Sequence, residues 1–411
     1  MTGKSTRKPR IVVAGAGIAG SLITSGLARR RDIELICLER VGATGHLDAG
    51  TGLNVGPNAM KCLTMFMPEW ASAIYANSLP WESWQISLTN GEVLMDLALA
   101  EVAEMPGIRI RWAELYQLLR APIRSHIRYG AALTRCDAEP GGRLTATYTD
   151  ESSGQSAEIG DIDLMVSAEG RYSPSRDLMF GEEAPTFLGV CLYRLLFPVG
   201  PDCPIGDYGQ WFNGPNRLLA YRVPGDFVYC AGSFPIPSDS AIPDHMKTPE
   251  ALASAYTPAN GQLSREAAFL VEAVCANVDS IHWARLQEGG QRFAQPGKPI
   301  LLVGDAAHPM VPTLGQGATQ AIEDACVAVE EINRALDRGD SLTGIAARVE
   351  ARRVERVRFV VEFSRQATDT MLAGADPVAG TRQKTQEPFM RKLRSLYQDV
   401  PVPAATVAEH A

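Results

Sequence analysis

Gly15, Gly17 and Gly20 stand at G-x-G-x-x-G spacing. They follow the apolar run at 11–14 and precede Ile18, Leu22, Ile23 and Leu27, which recur at helical spacing. Each glycine suits the holding of a dinucleotide. Gly15 permits a tight turn, Gly17 lets backbone approach a pyrophosphate, and Gly20 lets helix and strand pack closely. The diphosphate would rest on the helix N-terminus, where free N–H groups and the dipole favour anions. Glu39 closes the next apolar run, where a carboxylate accepts hydrogen bonds from a ribose. A glycine-rich turn in some other α/β protein would leave Glu39 unexplained.

A second stretch, residues 299–325 (PILLVGDAAHPMVPTLGQGATQAIEDA), offers different chemistry. Residues 300–303 read as a buried strand. Gly304-Asp305 ends it, suitably for a carboxylate that accepts a ribityl or ribose hydroxyl. Pro309 and Pro312 stiffen the loop. Gly315 and Gly317 expose backbone N–H groups at a helix start, an anion site aimed at a ring carbonyl or ring nitrogen. His308 sits beside backbone that the loop needs for its geometry and reads as structural. Glu169-Gly170 falls where a buried strand ends, the place where ligands bind in open α/β sheets. Arg194, Arg217 and Arg222 lie inside apolar, strand-like runs. Such arginines want an anionic partner; an internal salt bridge or an exposed strand face would serve as well.

These groups need two kinds of scaffold. The βαβ rhythm of residues 10–39 calls for a parallel sheet. Residues 47–62 (LDAGTGLNVGPNAMKC) form a loop that specifies backbone geometry and can approach a flat ring, with a helix starting at 58–63. Residues 81–96 alternate as a hairpin with its turn at Asn90-Gly91. Residues 109–119 read as a helix, 133–148 and 158–166 as strands of a small antiparallel insert, and 164–176 as strand, turn and helix. Residues 190–236 supply four or five antiparallel strands for a second sheet. Residues 250–278 read as helical and 282–288 as the return strand. Residues 341–371 read as one long helix with Val354, Val357 and Val361 inward and its arginines on a solvated face. The fold class is α/β, a Rossmann-like dinucleotide-binding domain interleaved with a smaller antiparallel-sheet domain and followed by C-terminal helices. The first domain takes 10–80, 106–182 and 287–340, the second 81–105 and 183–286, and the helices 341–400. Residues 1–9 and 401–411 are expected to be flexible tails.

Composition narrows the function. Hydrophobic content of 45% and charged content of 21% are those of a globular protein. The net charge of -8 speaks against a nucleic-acid partner. No apolar run approaches the roughly 18 residues of a membrane span, and no secretory h-region precedes the first strand. The eight cysteines form no C-x-x-C and have no histidine at metal spacing, so they read as reduced thiols of a cytoplasmic protein without a metal.

Three separated motifs coincide: GAGIAG with Glu39, SAEGRYSPSR, and GDAAHPMVPTLGQGATQAIEDA. Together they resemble the single-component FAD-dependent aromatic hydroxylases, the family of p-hydroxybenzoate and salicylate hydroxylases. GLNVGPNAM and NRLLAYR are similar to the branch acting on hydroxypyridine and urate rings. The resemblance implies that Gly15, Gly17, Ile18, Ala19, Gly20, Glu39 and Arg40 hold the ADP half of FAD. It implies further flavin contacts from Gly52, Leu53, Glu169, Gly304 and Asp305, and from Gly315, Gly317 and Ala318 at the pyrimidine edge. Pro312 would lie against the flavin. The family's arginine before the L-x-x-L helix aligns with Trp112, leaving Arg111 or Arg109 to serve, and the usual Asp-Gly is Glu169-Gly170. Asn54 and Thr313 stand where one relative has histidines. Arg217, Arg194 and Tyr221 match substrate-binding positions.

The chemistry so implied uses NADH or NADPH to reduce FAD and O2 to form a flavin C4a-hydroperoxide, which hydroxylates an activated, anionic small aromatic or heteroaromatic ring. Arg217 would pair with the substrate anion, Arg194 would support a carboxylate or second oxygen, and Tyr221 would hydrogen-bond the hydroxyl. With one dinucleotide fingerprint, taken by FAD, the nicotinamide coenzyme docks elsewhere, with NADH the mild preference. A monomer or homodimer is expected. The rivals are an epoxidase or reductase on the same fold and a non-catalytic flavoprotein redox sensor; the halogenase W-x-W-x-I-P pattern is absent.

Overall fold

The computed structural model describes residues 7–45, 51–139 and 141–404. The apolar run after Pro9 becomes the strand Arg10–Ala14, central in a five-stranded parallel sheet. Its neighbours are Glu34–Glu39 and Leu164–Ser167; Ile127–Tyr129 and Ile300–Leu302 form the edges. Ile11, Val12, Val13 and Ala14 are all buried, because both faces of the sheet are covered, which accounts for an unbroken apolar run. Ile11 and Val13 pack towards the helices Ile18–Leu27 and Gln316–Arg338. Val12 and Ala14 pack into a second core with the small antiparallel sheet of Ala131–Ala138, Leu144–Asp150 and Ser156–Ile162.

The second large sheet has seven strands. Thr186–Pro198, Phe227–Pro235, Asn216–Val223 and Tyr208–Asn213 pair antiparallel, with His282–Glu288 returning on one edge. On the other side the hairpin Ser83–Leu88 and Val93–Ala98 joins by a parallel pairing, Tyr208 opposite Trp84. Period-two alternation divides this sheet. Tyr193, Leu218 and Ala220 face the helices Pro249–Tyr256 and Arg265–Ala276, while Leu219, Tyr221 and Val223 face the rest of the molecule. A junction sheet of Gly52–Val55, Gly107–Arg111 and Leu79–Trp81 lies between the two large sheets.

Three expectations need correction. Residues 109–111 belong to a strand, and the helix begins at Trp112. The cause is tertiary: Arg109 donates to the carbonyls of Pro80, Gly206 and Arg222 and stitches the junction sheet to the seven-stranded one. The long C-terminal helix is Ile345–Gln366, with short 3-10 turns on either side, and its arginines are not all solvated. Arg353 is fully buried, because Glu323 and Asp324 of the facing helix meet it. The described parts of the expected tails are also engaged: Arg7 pairs with Asp163, and Ala404 N–H donates to Glu330. The remainder, 1–6 and 405–411, together with residue 46, residues 47–50 of the loop read at 47–62, and residue 140, lie outside the described residues. All eight cysteines are free thiols, five buried and three half-buried. No described helix is long and apolar enough to cross a membrane.

Candidate cofactor cleft and substrate chamber

A cleft of about 340 Å³ opens at the carboxyl ends of the parallel strands. Its floor is the glycine turn. Gly15 has φ +93°, and a Cβ there would lie 2.4 Å from the Ala168 carbonyl oxygen. A Cβ on Gly20 would lie 1.9 Å from the Gly15 carbonyl oxygen, so the turn and the helix close on each other only without side chains. No side chain caps the helix Ile18–Leu27 and no acid occupies its first turn, which leaves its amino end to an outside anion.

Glu39 holds one wall. Its Oε2 accepts from Ala16 N–H at 2.7 Å and from Arg120 Nη2 at 3.1 Å, and Oε1 accepts from Val41 N–H at 2.9 Å. Arg120 also donates to the Ala16 carbonyl at 2.7 Å and lies over the Tyr116 ring, 4.4 Å from its centroid. Trp112, Tyr116 and Arg120 all line the cleft. Sequence reading named only Trp112, as the position aligned with the family's arginine, and passed over Tyr116 and Arg120, although their i, i+4, i+8 spacing marks one face of a helix.

The opposite wall comes from the second informative stretch. Gly304, at φ +59°, donates its N–H to Asp324 Oδ2 at 2.8 Å, and Asp305 beside it lines the cleft. Asp324 also meets His308 Nε2 at 2.6 Å and Arg353 Nε at 2.7 Å. Burial alone would raise the Asp324 pKa, but its close contacts with His308 and the Arg353 guanidinium outweigh it and hold the carboxyl at about 2. His308 is therefore a buried strut for this turn. Gly315, at φ +65°, starts the helix Gln316–Arg338, again without a side-chain cap.

Of the residues expected at the cofactor, Gly15, Gly17, Ile18, Ala19, Glu39, Arg40, Leu53, Glu169, Gly304, Asp305, Gly317 and Ala318 line this cleft. Four do not. Gly20 packs beneath the turn and Gly52 packs on Tyr229. Gly315 abuts Asn54. Arg111 is turned to Glu114 and to the Phe227 ring, 4.8 Å from its centroid. The Glu169 carboxylate folds back on its own loop, where Oε2 accepts from the Ser167 and Ser173 hydroxyls at 2.8 Å each.

Beside the cleft, the inner face of the seven-stranded sheet carries the candidate substrate groups. Tyr221 stacks on Tyr208 with centroids 5.6 Å apart and lies 5.0 Å from Tyr229. Burial raises Tyr208 to about 12 and Tyr221 well above the usual tyrosine value. Arg217 shares this face and is 5% exposed. No described residue gives its guanidinium a hydrogen bond or an ion pair, its Nε is shut from solvent without a partner, and burial lowers its pKa. Ser233, opposite Arg217 in register, reaches Met371 Sδ at 3.5 Å, and Thr368 of the same 3-10 turn bonds Thr313 at 2.7 Å, next to Pro312. Arg194 lies on the same face but exposed, and Arg222 points towards Asp226 at 3.5 Å.

A family model described as "FAD binding domain" matches residues 269–364. The chain is 30% identical over 376 residues to a 3-amino-4-hydroxybenzoate 2-monooxygenase of Streptomyces platensis, covering 89% of each chain. It belongs to the FAD-dependent monooxygenases. It is also 25% identical to a 6-hydroxynicotinate 3-monooxygenase of Pseudomonas fluorescens, over 88% of this chain and 92% of that one. Among solved structures, Klebsiella pneumoniae HpxO complexed with FAD and uric acid superposes with a TM-score of 0.79 at 21% identity, covering 96% and 97% of the two chains, which establishes the common fold. The cleft of this FAD-dependent monooxygenase fits its cofactor on local grounds. The glycine cradle has no room for side chains, two helix amino ends lack caps, and carboxylates stand at both ends.

Proposed function

We propose that FAD lies along the cleft and that the enzyme hydroxylates a small anionic aromatic or N-heteroaromatic ring held on the tyrosine face, consuming NAD(P)H and O2. The glycine turn and the uncapped helix at Ile18 would take the diphosphate, Glu39 the adenosine ribose, and Asp305 a ribityl or ribose hydroxyl. Backbone N–H groups at Gly317 and Ala318 would meet the ring's pyrimidine edge. FAD, when bound, supplies the redox and oxygen-activating chemistry.

The chain's own residues bind and orient the substrate. The observation that carries this reading is Arg217, a buried cation without an anion. A buried charge left unpaired is costly, so an anion arriving with the substrate repays it, and the same cation favours the ionised form of the ring. Tyr208 and Tyr221 keep their protons well past neutral pH and would act as hydrogen-bond donors. Their stacked rings offer a flat surface and keep water from the reacting face. Arg194, at the exposed rim, would support a carboxylate or second oxygen, and Pro312 would fix the loop against the flavin. The nicotinamide coenzyme, NADH by preference, docks outside the single fingerprint. The names of the relatives support this substrate class. A cytoplasmic monomer or homodimer completes the proposal.

The test is a panel of 3-amino-4-hydroxybenzoate, 6-hydroxynicotinate and urate, with oxygen uptake and product mass recorded for each. A product heavier by one oxygen, with NAD(P)H oxidation stimulated by that ring, is the expected result. Bound FAD with no ring-stimulated oxidation of NAD(P)H would overturn the reading.

A further inference from the structure

The helix Ile345–Gln366 ends in the 3-10 turn Ala367–Met371, and this turn touches both halves of the site. Thr368 bonds Thr313, beside Pro312, and Met371 meets Ser233, the register partner of Arg217. Ala367, Thr368, Thr370 and Met371 are buried, while Asp369 is exposed. Residues 372–374, which follow, are exposed as well, so the turn gains no anchor from the segment after it.

Lys384 is the anchor. It closes the next helix, Pro377–Lys384, and is 5% exposed. Its Nζ donates to the Ala367 carbonyl at 3.1 Å, to Asp369 Oδ1 at 2.7 Å and to Thr370 Oγ1 at 3.0 Å. These bonds use every proton of the ammonium. Ala367 is the C-cap of the helix Ile345–Gln366, an end whose carbonyls lack helical partners and favour a cation. The two elements also pack directly: a Cβ on Gly380 would lie 2.5 Å from Thr370 Cγ2.

A buried lysine is rare, because stripping water from an ammonium is costly. Burial lowers the Lys384 pKa, the Asp369 carboxylate opposes this, and the positive charge of Arg217 adds to it. Lys384 therefore lies within electrostatic reach of the chamber's unpaired cation. An apolar side chain would fill the same space without the desolvation cost. It could not fix three oxygens of one short turn.

We propose that Lys384 is a positioning residue of the substrate chamber, pinning the turn Ala367–Met371 so that Thr368 and Met371 hold the flavin loop against the sheet that carries Arg217. This assignment rests on the ring-hydroxylation reading and deepens it. Lys384 acts through the turn, which takes up all three of its protons. With the turn pinned, the ring stays in place and water stays out. One NAD(P)H, one proton and one O2 then yield one hydroxylated ring and one water. With the turn loose, the same three end as one hydrogen peroxide, and the ring leaves unchanged.

The test compares FAD-loaded wild type with Lys384→Met, Asp369→Ala, the double variant and Lys392→Met. Lys392 is an exposed cation that donates instead to Gln366 Oε1 at 2.7 Å. The ring is whichever of 3-amino-4-hydroxybenzoate, 6-hydroxynicotinate and urate the wild type hydroxylates. Amide hydrogen exchange across 367–371 is read without the ring; product and hydrogen peroxide are counted per NAD(P)H with it. Lys384→Met is expected to speed exchange in the turn, to lower kcat for hydroxylation on the order of tenfold, and to raise the peroxide share, with FAD content at the wild-type level. Asp369→Ala is expected to shift both readouts the same way. The double variant is expected to match Lys384→Met, since both ends of one contact are gone, and Lys392→Met to match wild type. Unchanged exchange overturns the inference, and so does faster exchange with an unchanged peroxide share, or additive effects in the double variant. Loss of FAD and of melting temperature with the peroxide share unchanged makes Lys384 merely structural and overturns it too. Should Lys384→Met fail to fold, Asp369→Ala decides by the same two readouts. A wild type that hydroxylates none of the rings removes the ring-hydroxylation reading, and the inference falls with it.

Discussion

Arg353 donates from Nε to Asp324 Oδ1 at 2.7 Å, and both side chains are completely buried. The other oxygen of Asp324 holds the Gly304 N–H at 2.8 Å, so a helix near the C-terminus fixes the turn that presents Asp305 to the cleft. Removing one partner of a buried pair leaves the other charge stranded, at about 3–5 kcal/mol. Arg353→Met should therefore lose stability of that size and retain FAD poorly. Arg358→Met, on the exposed side of the same helix, should match wild type. Urea unfolding and cofactor content after gel filtration check both.

The same carboxylate gives a pH signature. Asp324 is held at about 2, below its ordinary 3.8. A depressed folded-state pKa contributes stability that is present in full above the unfolded value and is lost as pH falls through the folded value. The size is about 2 kcal/mol. The stability gap between wild type and Asp324→Asn should therefore narrow as pH falls from 4 to 2. Denaturant midpoints across that range measure it.

Arg217→Met should spare the cofactor and cripple ring binding. A charge-assisted contact contributes about 1.5–3 kcal/mol, roughly 10- to 150-fold in affinity. Because the residue has no internal partner to strand, the melting temperature should not fall. Substrate titration of the FAD-loaded protein, beside a melting curve, checks this. Loss of FAD in parallel would make Arg217 structural.

Gly15→Ala and Gly20→Ala should yield protein with little or no FAD. Each added methyl would collide with backbone, at 2.4 Å from the Ala168 oxygen and 1.9 Å from the Gly15 oxygen respectively. Gly142→Ala, in open space, should keep its cofactor despite a mild conformational penalty at φ +83°. The ratio of flavin to protein absorbance reads all three.

Arg120→Ala should weaken FAD retention, and Arg111→Ala should not. Arg120 braces Glu39 and the Ala16 carbonyl at the adenosine end, whereas Arg111 is spent on Glu114 and Phe227. FAD dissociation followed by fluorescence recovery separates the two.

The glycine turn was legible because strand, turn, helix and acid are close in sequence and each requirement is local. Glu39 and Asp305 could be read for the same reason. The chamber was only half legible. Alternation put Arg217 and Tyr221 on one strand, but what surrounds them is set by pairings distant in sequence, such as Tyr208 beside Trp84. Arg353 misled for a related reason: a helix rich in arginine looks solvated until Glu323 and Asp324 are known to face it. Residues 109–111 read as helix because Leu115, Leu118 and Leu119 give the whole stretch 109–119 one apolar side. Sheet pairing and the carbonyls waiting for Arg109 override that local pattern.

The interleaving of the two large sheets has a consequence for biosynthesis. The hairpin at 83–98 finds its neighbour only when residues 208–213 exist, and the parallel sheet lacks its edge until residues 300–302 emerge. Nearly three quarters of the polypeptide must therefore leave the ribosome with apolar strand edges unpaired. Such non-local pairing slows folding and leaves these edges open to wrong partners until the last strand arrives.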